Sequence, residues 1–286
     1  MQHNTKAMAR IALGLTALLA AMMFLSLYAP LMRAQAHYCN ADYYGEGQSI
    51  GASYTVEYDY YVEHDDYVIA SAPSYTSVTE EQTNNCASKA GANIVGFYDR
   101  YYPNLIPNFE PGVASGSAYM YFPRANLAPI NTLITDLYYR MDTNVGEPGA
   151  TAQDFKDGLT EYVNEKGYSI SFSSFYQNST SVNYSKVQQM VSQNKVGVLM
   201  CGNYNVVFGI SHLTSGTSTL VSKRDYNIAH MMMVYGYLSI DYYKDGSKIR
   251  TDNFLQVSTG FATGDKGYIL MDDYLTIDDA LIINIS

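Results

Sequence analysis

Tryptophan is absent from these 286 residues, and basic side chains are scarce: 17 Lys and Arg stand against 27 Asp and Glu, for a formal net charge of −10. That balance argues against nucleic acid or an anionic membrane surface as a partner, because both reward clustered positive charge. Cysteine is scarce too, with three in the chain, which excludes a disulfide-built scaffold; an odd count also leaves at least one thiol unpaired within the chain. No Cys or His pair has zinc-ligand spacing, and no glycine-rich loop is built to cradle phosphate. The sequence therefore calls for no metal and no cofactor. Internal repeats and low-complexity linkers are also lacking.

What is present begins with a three-part N-terminus. Lys6 and Arg10 precede an almost wholly apolar run, Ile11 to Leu31, and small residues follow at Ala34-Gln35-Ala36. This is the build of a secretory signal cut after Ala36, which makes the expected location extracellular. Left uncut, the run is long enough to span a bilayer, and it is the one expected route to a membrane. The signal takes Lys6, Arg10 and Arg33 with it, so the mature chain is more acidic still. The remainder, residues 37–286, has the size of one domain with a substantial core. Residues 37–73 within it read as an N-terminal strand extension. The sequence is silent on oligomeric state.

Tyrosine is abundant, with 29 copies, and suits strands and clefts because its ring is apolar and its tip polar. Ser53 to Tyr58 and Tyr67 to Ala70 read as short strands. After a polar stretch the period changes at Cys86: Ala90, Ile94, Phe97 and Tyr101 recur at helical spacing, with Asn84 or Asn85 as the cap and Pro103 past the end. Gly91 and Gly96 inside this helix cost roughly 1 kcal/mol each against Ala and imply close packing. Residues 104–128 read as loop. Helical spacing returns at 130–141, 155–163 and 187–191. Val196 to Met200, His230 to Tyr237, Phe254 to Ser258, Gly267 to Met271 and Leu281 to Ile285 read as strands, with Asp245-Gly246 as a hairpin turn. Helices first and an antiparallel sheet afterwards make an α+β fold.

Two residues in this frame carry chemistry. Cys86 opens a helix, where unpaired N–H groups and the helix dipole stabilise a thiolate. Such a nucleophile needs a base. Of the histidines at 37, 64, 212 and 230, only His230 opens a strongly apolar strand that could hold an imidazole rigidly. It lies 144 residues after Cys86 (230 minus 86), inside the window of about 130–150 residues for papain-type Cys and His.

The run Asn84-Asn85-Cys86-Ala87-Ser88-Lys89-Ala90-Gly91 resembles the nucleophile motif of secreted bacterial papain-like cysteine peptidases, including the double-glycine-leader and streptopain-like groups. Ile94 to Tyr102, Phe155 to Tyr168, the His230 to Tyr237 strand ending Gly-Tyr, and Val257 to Gly260 through Lys266 to Ile269 resemble later segments of the same groups. The likeness covers roughly residues 74–286. It implies a papain-like fold with the nucleophile on a central helix and the base on an antiparallel sheet. It also implies hydrolysis of a peptide or protein substrate by a Cys86–His230 dyad through an acyl-enzyme. Ser258 matches the position of the residue that orients the histidine, where relatives carry Asn or Asp; Asn253, Asp252 and Asp241 are nearby alternatives. The oxyanion donor is expected to be Gln82, with Asn84 and Asn85 as rivals.

Blander readings stand beside these. Cys86 could pair with Cys39 or Cys201, Cys201 reads as a small buried hydrophobe, and His230 could be a satisfied core histidine. The Met231-Met232-Met233 run reads as packing, and the acidic group Glu57, Asp59, Glu63, Asp65 and Asp66 as a solvated strand face. Serine in place of Asn at position 258 also suits a catalytically inactive papain-like fold that binds extracellular peptide or polymer.

Overall fold

A computed structural model describes residues 49–69, 72–76, 82–116, 118–122, 128–212, 216–261 and 266–286, all within the unit His37–Ser286. The segment expected to be a secretory signal, its expected cleavage site and Cys39 lie outside the described residues. The architecture is α+β, with four helices and one large antiparallel sheet among the described residues.

The helices come early. α1 (Cys86–Asp99), α2 (Ala128–Arg140) and α3 (Ala152–Glu165) pack together, and α4 (Tyr184–Ser192) follows. Each start has a local cause. Thr151 and Asp154 form a reciprocal capping box on α3, and the Asn183 side chain accepts from the Lys186 N–H to cap α4. No helix among the described residues is long and apolar enough to cross a membrane.

The strands are β1 (Ser49–Glu57), β2 (Tyr60–Val68), β3 (Gly112–Ser115), β4 (Ala118–Tyr121), β5 (Ile170–Ser174), β6 (Tyr176–Asn178), β7 (Ser181–Val182), β8 (Val196–Cys201), β9 (Tyr204–His212), β10 (Ser218–Tyr226), β11 (His230–Lys244), β12 (Ser247–Ser258), β13 (Lys266–Leu270) and β14 (Ile277–Ile285). The main sheet runs β1-β10-β9-β13-β12-β11-β8-β14-β5. The long β11 holds it together. One of its edges is paired by β12, while the other is shared: β8 takes Met231 to Val234 and the head at His230, and β2 takes Gly236 to Tyr243. Only two residues, Tyr58 and Asp59, separate β1 from β2, yet the two strands pair at distant places in the sheet. The sheet must curl to satisfy both, and it does so around Val56, Tyr58, Val207, Val221, Leu238, Ile240, Tyr242, Phe254 and Leu270. β11 and β12 join through Asp245 and Gly246, both at positive φ, as a tight hairpin of right-handed twist requires.

Residues 104–128, expected to be loop, contain the short β3–β4 hairpin. β9 and β10, which the sequence reading left unassigned, pair along their length. The helical packing is as tight as the glycines implied. A Cβ at Gly96 would sit 2.4 Å from the Tyr75 ring, closer than real contacts allow.

Gly96→Ala should therefore destabilise the fold by about 1–3 kcal/mol, the usual cost of overpacking. Gly51→Ala, where an added Cβ meets nothing within 4 Å, should stay within about 0.5 kcal/mol of wild type. Equal urea midpoints for the two variants would refute the packing argument.

Candidate active site

The site forms where the first turn of α1 meets the head of β11. Asn85 stands at the N-cap of α1, but its side chain makes no capping bond. The first turn is closed instead by the Asn85 carbonyl, which accepts from the Lys89 N–H at 3.0 Å and from the Ser88 hydroxyl at 3.0 Å. Either Asn was expected to cap the helix. Asn84 instead takes a left-handed turn conformation (φ 58), and its side-chain amide donates to Asn144.

Downstream, Asn93 fixes α1 to the segment 72–76. Its Oδ1 accepts from the Tyr75 N–H at 2.6 Å, and its Nδ2 donates to the Tyr75 carbonyl at 3.3 Å. The Ser258 hydroxyl grips the same segment from the sheet, donating to the Pro73 carbonyl at 2.6 Å. Ser258 is thus a clamp between β12 and residues 72–76. It makes this bond at the position expected to orient the imidazole.

His230 is buried, with 4% of its surface exposed. Its ring neighbours two aromatic rings, Phe261 at 4.9 Å and Tyr204 at 5.1 Å, both within 20° of parallel to it. Its Nε2 is 2.8 Å from the carbonyl oxygen of Thr259. A carbonyl can only accept, so Nε2 carries the proton in the neutral ring and Nδ1 holds the lone pair. Burial lowers the His230 pKa from 6.5 to about 4; the Thr259 bond opposes that shift, and the charge on Lys89 adds to it. At neutral pH the imidazole is uncharged, as a proton acceptor must be.

Lys89 ties the two halves together. Its ammonium donates to the Gly260 carbonyl at 3.1 Å, one residue past the group that holds His230. Burial lowers its pKa from 10.5 to about 8. Cys86 lies three residues before Lys89, so both are on one face of α1. The first turn of the helix and the histidine thus border one junction.

Cys86 is buried, 3% exposed, and disulfide-bonded. Cys201, a fully buried free thiol, is the cross-strand neighbour of His230. Because Cys201 is free, it does not pair with Cys39. Burial pushes its thiol pKa well up, so it is inert at neutral pH.

The remaining candidates are held elsewhere. The Gln82 amide donates to the Thr135 hydroxyl at 2.8 Å. Asp252 pairs with Arg250 at 2.5 Å and accepts from the Tyr54 hydroxyl. Asn253 accepts from the Ser239 hydroxyl at 2.7 Å. Asp241 faces Lys248, Thr251 and His64. One amide is left over: the Nδ2 of Asn85, buried and without a protein hydrogen-bond partner, directly beside Cys86. No group of three or more His, Cys, Asp or Glu able to hold a metal ion occurs among the described residues.

A scan of protein-family profiles and searches of curated proteins and solved structures gave no match to this chain.

The depressed His230 pKa couples to stability with a definite sign. Between pH 4 and 6.5 the unfolded chain binds a proton at this position that the folded chain refuses, so stability rises with pH across that window and is lost on acidification. The two pKa values bound the effect at roughly 3 kcal/mol. Urea unfolding of wild type at pH 7 and pH 4 should show this slope, and His230→Gln should flatten it by that amount. An unchanged slope in the variant would mean that His230 titrates normally in the folded chain.

Proposed function

We propose that this chain, once reduced, is an exported papain-like cysteine peptidase of the bacterial kind, with Cys86 as nucleophile and His230 as base. The observation that carries the reading is the bond from His230 Nε2 to the Thr259 carbonyl at the first turn of α1. It fixes the one tautomer that leaves Nδ1 to take a proton, beside a helix start suited to an anion. The orienting role expected of Ser258 passes to a main-chain carbonyl. The oxyanion role expected of Gln82 passes to Asn85, whose amide has no other protein partner.

The described state is the oxidised one, so a thiol reductant must act first. Two equivalents of reductant thiol open the Cys86 disulfide, yielding two chain thiols and one reductant disulfide. His230 Nδ1 then takes the Cys86 proton, and sulfur attacks the peptide carbonyl carbon. The developing oxyanion accepts from the Cys86 N–H and the Asn85 amide. The imidazolium gives its proton to the leaving amine as the C–N bond breaks. Water, deprotonated by His230, cleaves the thioester, releases the carboxylic acid and restores the thiol.

A second reading is favoured by the disulfide and burial of Cys86: a catalytically inactive descendant of the same fold that binds extracellular peptide or polymer. An epoxysuccinyl thiol probe separates the two. On the peptidase reading, the reduced chain is labelled, the untreated chain is not, Cys86→Ala abolishes labelling and Cys201→Ala keeps it. No labelling after reduction, in a chain that remains folded, favours the binding protein.

Asn85→Ala should lower kcat on a cleaved peptide by about 10²–10³, the usual cost of losing an oxyanion donor, while Gln82→Ala changes kcat much less. The reverse ranking would return the role to Gln82.

A further inference from the structure

Lys89 brings a positive charge to the junction of α1 and β11 without a carboxylate to balance it. Its stem lies across Gly260, where an added Cβ would stand 3.4 Å from the Lys89 Cδ. Its ammonium donates to the Gly260 carbonyl, a neutral acceptor. No carboxylate pairs with it among the described residues, and burial alone lowers its pKa to about 8. At neutral pH the amine is therefore still largely charged. An ammonium is a costly way to hold one carbonyl, since a neutral amide would donate the same bond without taking an ion out of water. The charge is out of place in the oxidised chain and calls for an anion.

One group at the junction can become that anion. Side chains on a helix lean toward its N-terminus, and residues three apart stand on one face with Cβ atoms roughly 5–6 Å apart. Lys89 thus leans toward Cys86. Across from it, β11 presents His230, whose pKa the Lys89 charge lowers, and the end of β12 presents the Gly260 carbonyl. His230 alone is a weak base for the thiol. Its pKa of about 4 stands against about 8.5 for a free cysteine. Unassisted proton transfer from sulfur to imidazole would then reach roughly one site in 10⁴–10⁵. A nearby fixed cation shifts that balance toward the thiolate.

We propose that Lys89 is the standing counter-charge of the Cys86 thiolate in the reduced chain. The S–H bond breaks heterolytically, the proton goes to His230 Nδ1, and the electron pair stays on sulfur, where the Lys89 ammonium and the helix end stabilise it. Lys89 itself gives up no proton. The inference rests on the reading of Cys86 as nucleophile, but it concerns the thiol before any substrate arrives.

Thiolate ultraviolet absorbance tests it, taken as the difference between reduced wild type and reduced Cys86→Ala and followed across pH. The Cys86 thiol should be half ionised well below the free-cysteine value of about 8.5. Lys89→Gln, which keeps a donor but no charge, should move that midpoint up by about 1–3, and Lys89→Met by as much. Lys89→Arg, which keeps the charge, should hold it near wild type. In the oxidised chain both neutral variants should raise the His230 pKa, read from its imidazole proton shifts. A wild-type midpoint at or above about 8.5 overturns the proposal. So does an unchanged midpoint in Lys89→Gln, which would leave Lys89 a clamp on Gly260 alone. A thiol that ionises early yet never reacts with the epoxysuccinyl probe sinks the peptidase reading and leaves this inference standing.

Discussion

A histidine buried among aromatic rings has few ways to remain part of a stable structure. Its ring N–H must find an acceptor, or the desolvation is uncompensated. In this chain the acceptor is the Thr259 carbonyl, and much of the surrounding structure is arranged to keep that carbonyl in place. Lys89 grips the next carbonyl, at Gly260. Ser258, one residue before, is tied to Pro73, and Pro73 belongs to the segment that Asn93 holds against α1. The three consecutive residues 258, 259 and 260 are therefore each bonded to a different element, which makes the end of β12 a fixed platform. The imidazole inherits its orientation from that platform.

The same arrangement sets the charge of the site. Burial alone lowers the His230 pKa, and the Lys89 ammonium lowers it further. The two buried bases are coupled: each is easier to protonate if the other is neutral. A thiolate beside them would reverse the balance, since a negative charge favours both cations. In the disulfide state no such charge exists, and the neutral imidazole is the stable form. On the proposed peptidase reading, reduction of Cys86 thus changes the electrostatics of the junction as well as freeing the nucleophile.

The parts of this site that were legible in the sequence are those that depend on side-chain pattern. Cys86 drew attention because the hydrophobic period changes at that residue, and His230 because it heads a continuous apolar run, which is a middle strand of the sheet. The orienting carbonyl left no trace, because every residue carries one and only the folded register decides which reaches the ring. Ser258 drew attention by matching a position; its hydroxyl serves an adjacent contact. Gln82 was ranked above Asn85 on residue type, but hydrogen bonding separates them: one amide donates to Thr135, and the other has no protein partner. Among the elements, β9 escaped because its alternation breaks. The ladder skips Phe208, with Gly209 opposite Ser222 and Val207 opposite Lys223, so the bulged phenylalanine turns outward and is 67% exposed. β3 shows only one buried residue, Gly112, too little for a two-fold pattern to register.

The two cysteines described here carry opposite physical signatures although both are buried. Cys201 lies on a strand, with no helix end to favour its ionised form and a carboxylate, Asp278, to oppose it. Proximity to His230 across the ladder does not make it reactive, because the thiolate would have no stabilising field. Cys86 lies at the positive end of a fourteen-residue helix, where a thiolate gains from both the dipole and the first-turn N–H groups. On the proposed peptidase reading, that position suits Cys86 to nucleophilic chemistry, and a strand cysteine such as Cys201 lacks it.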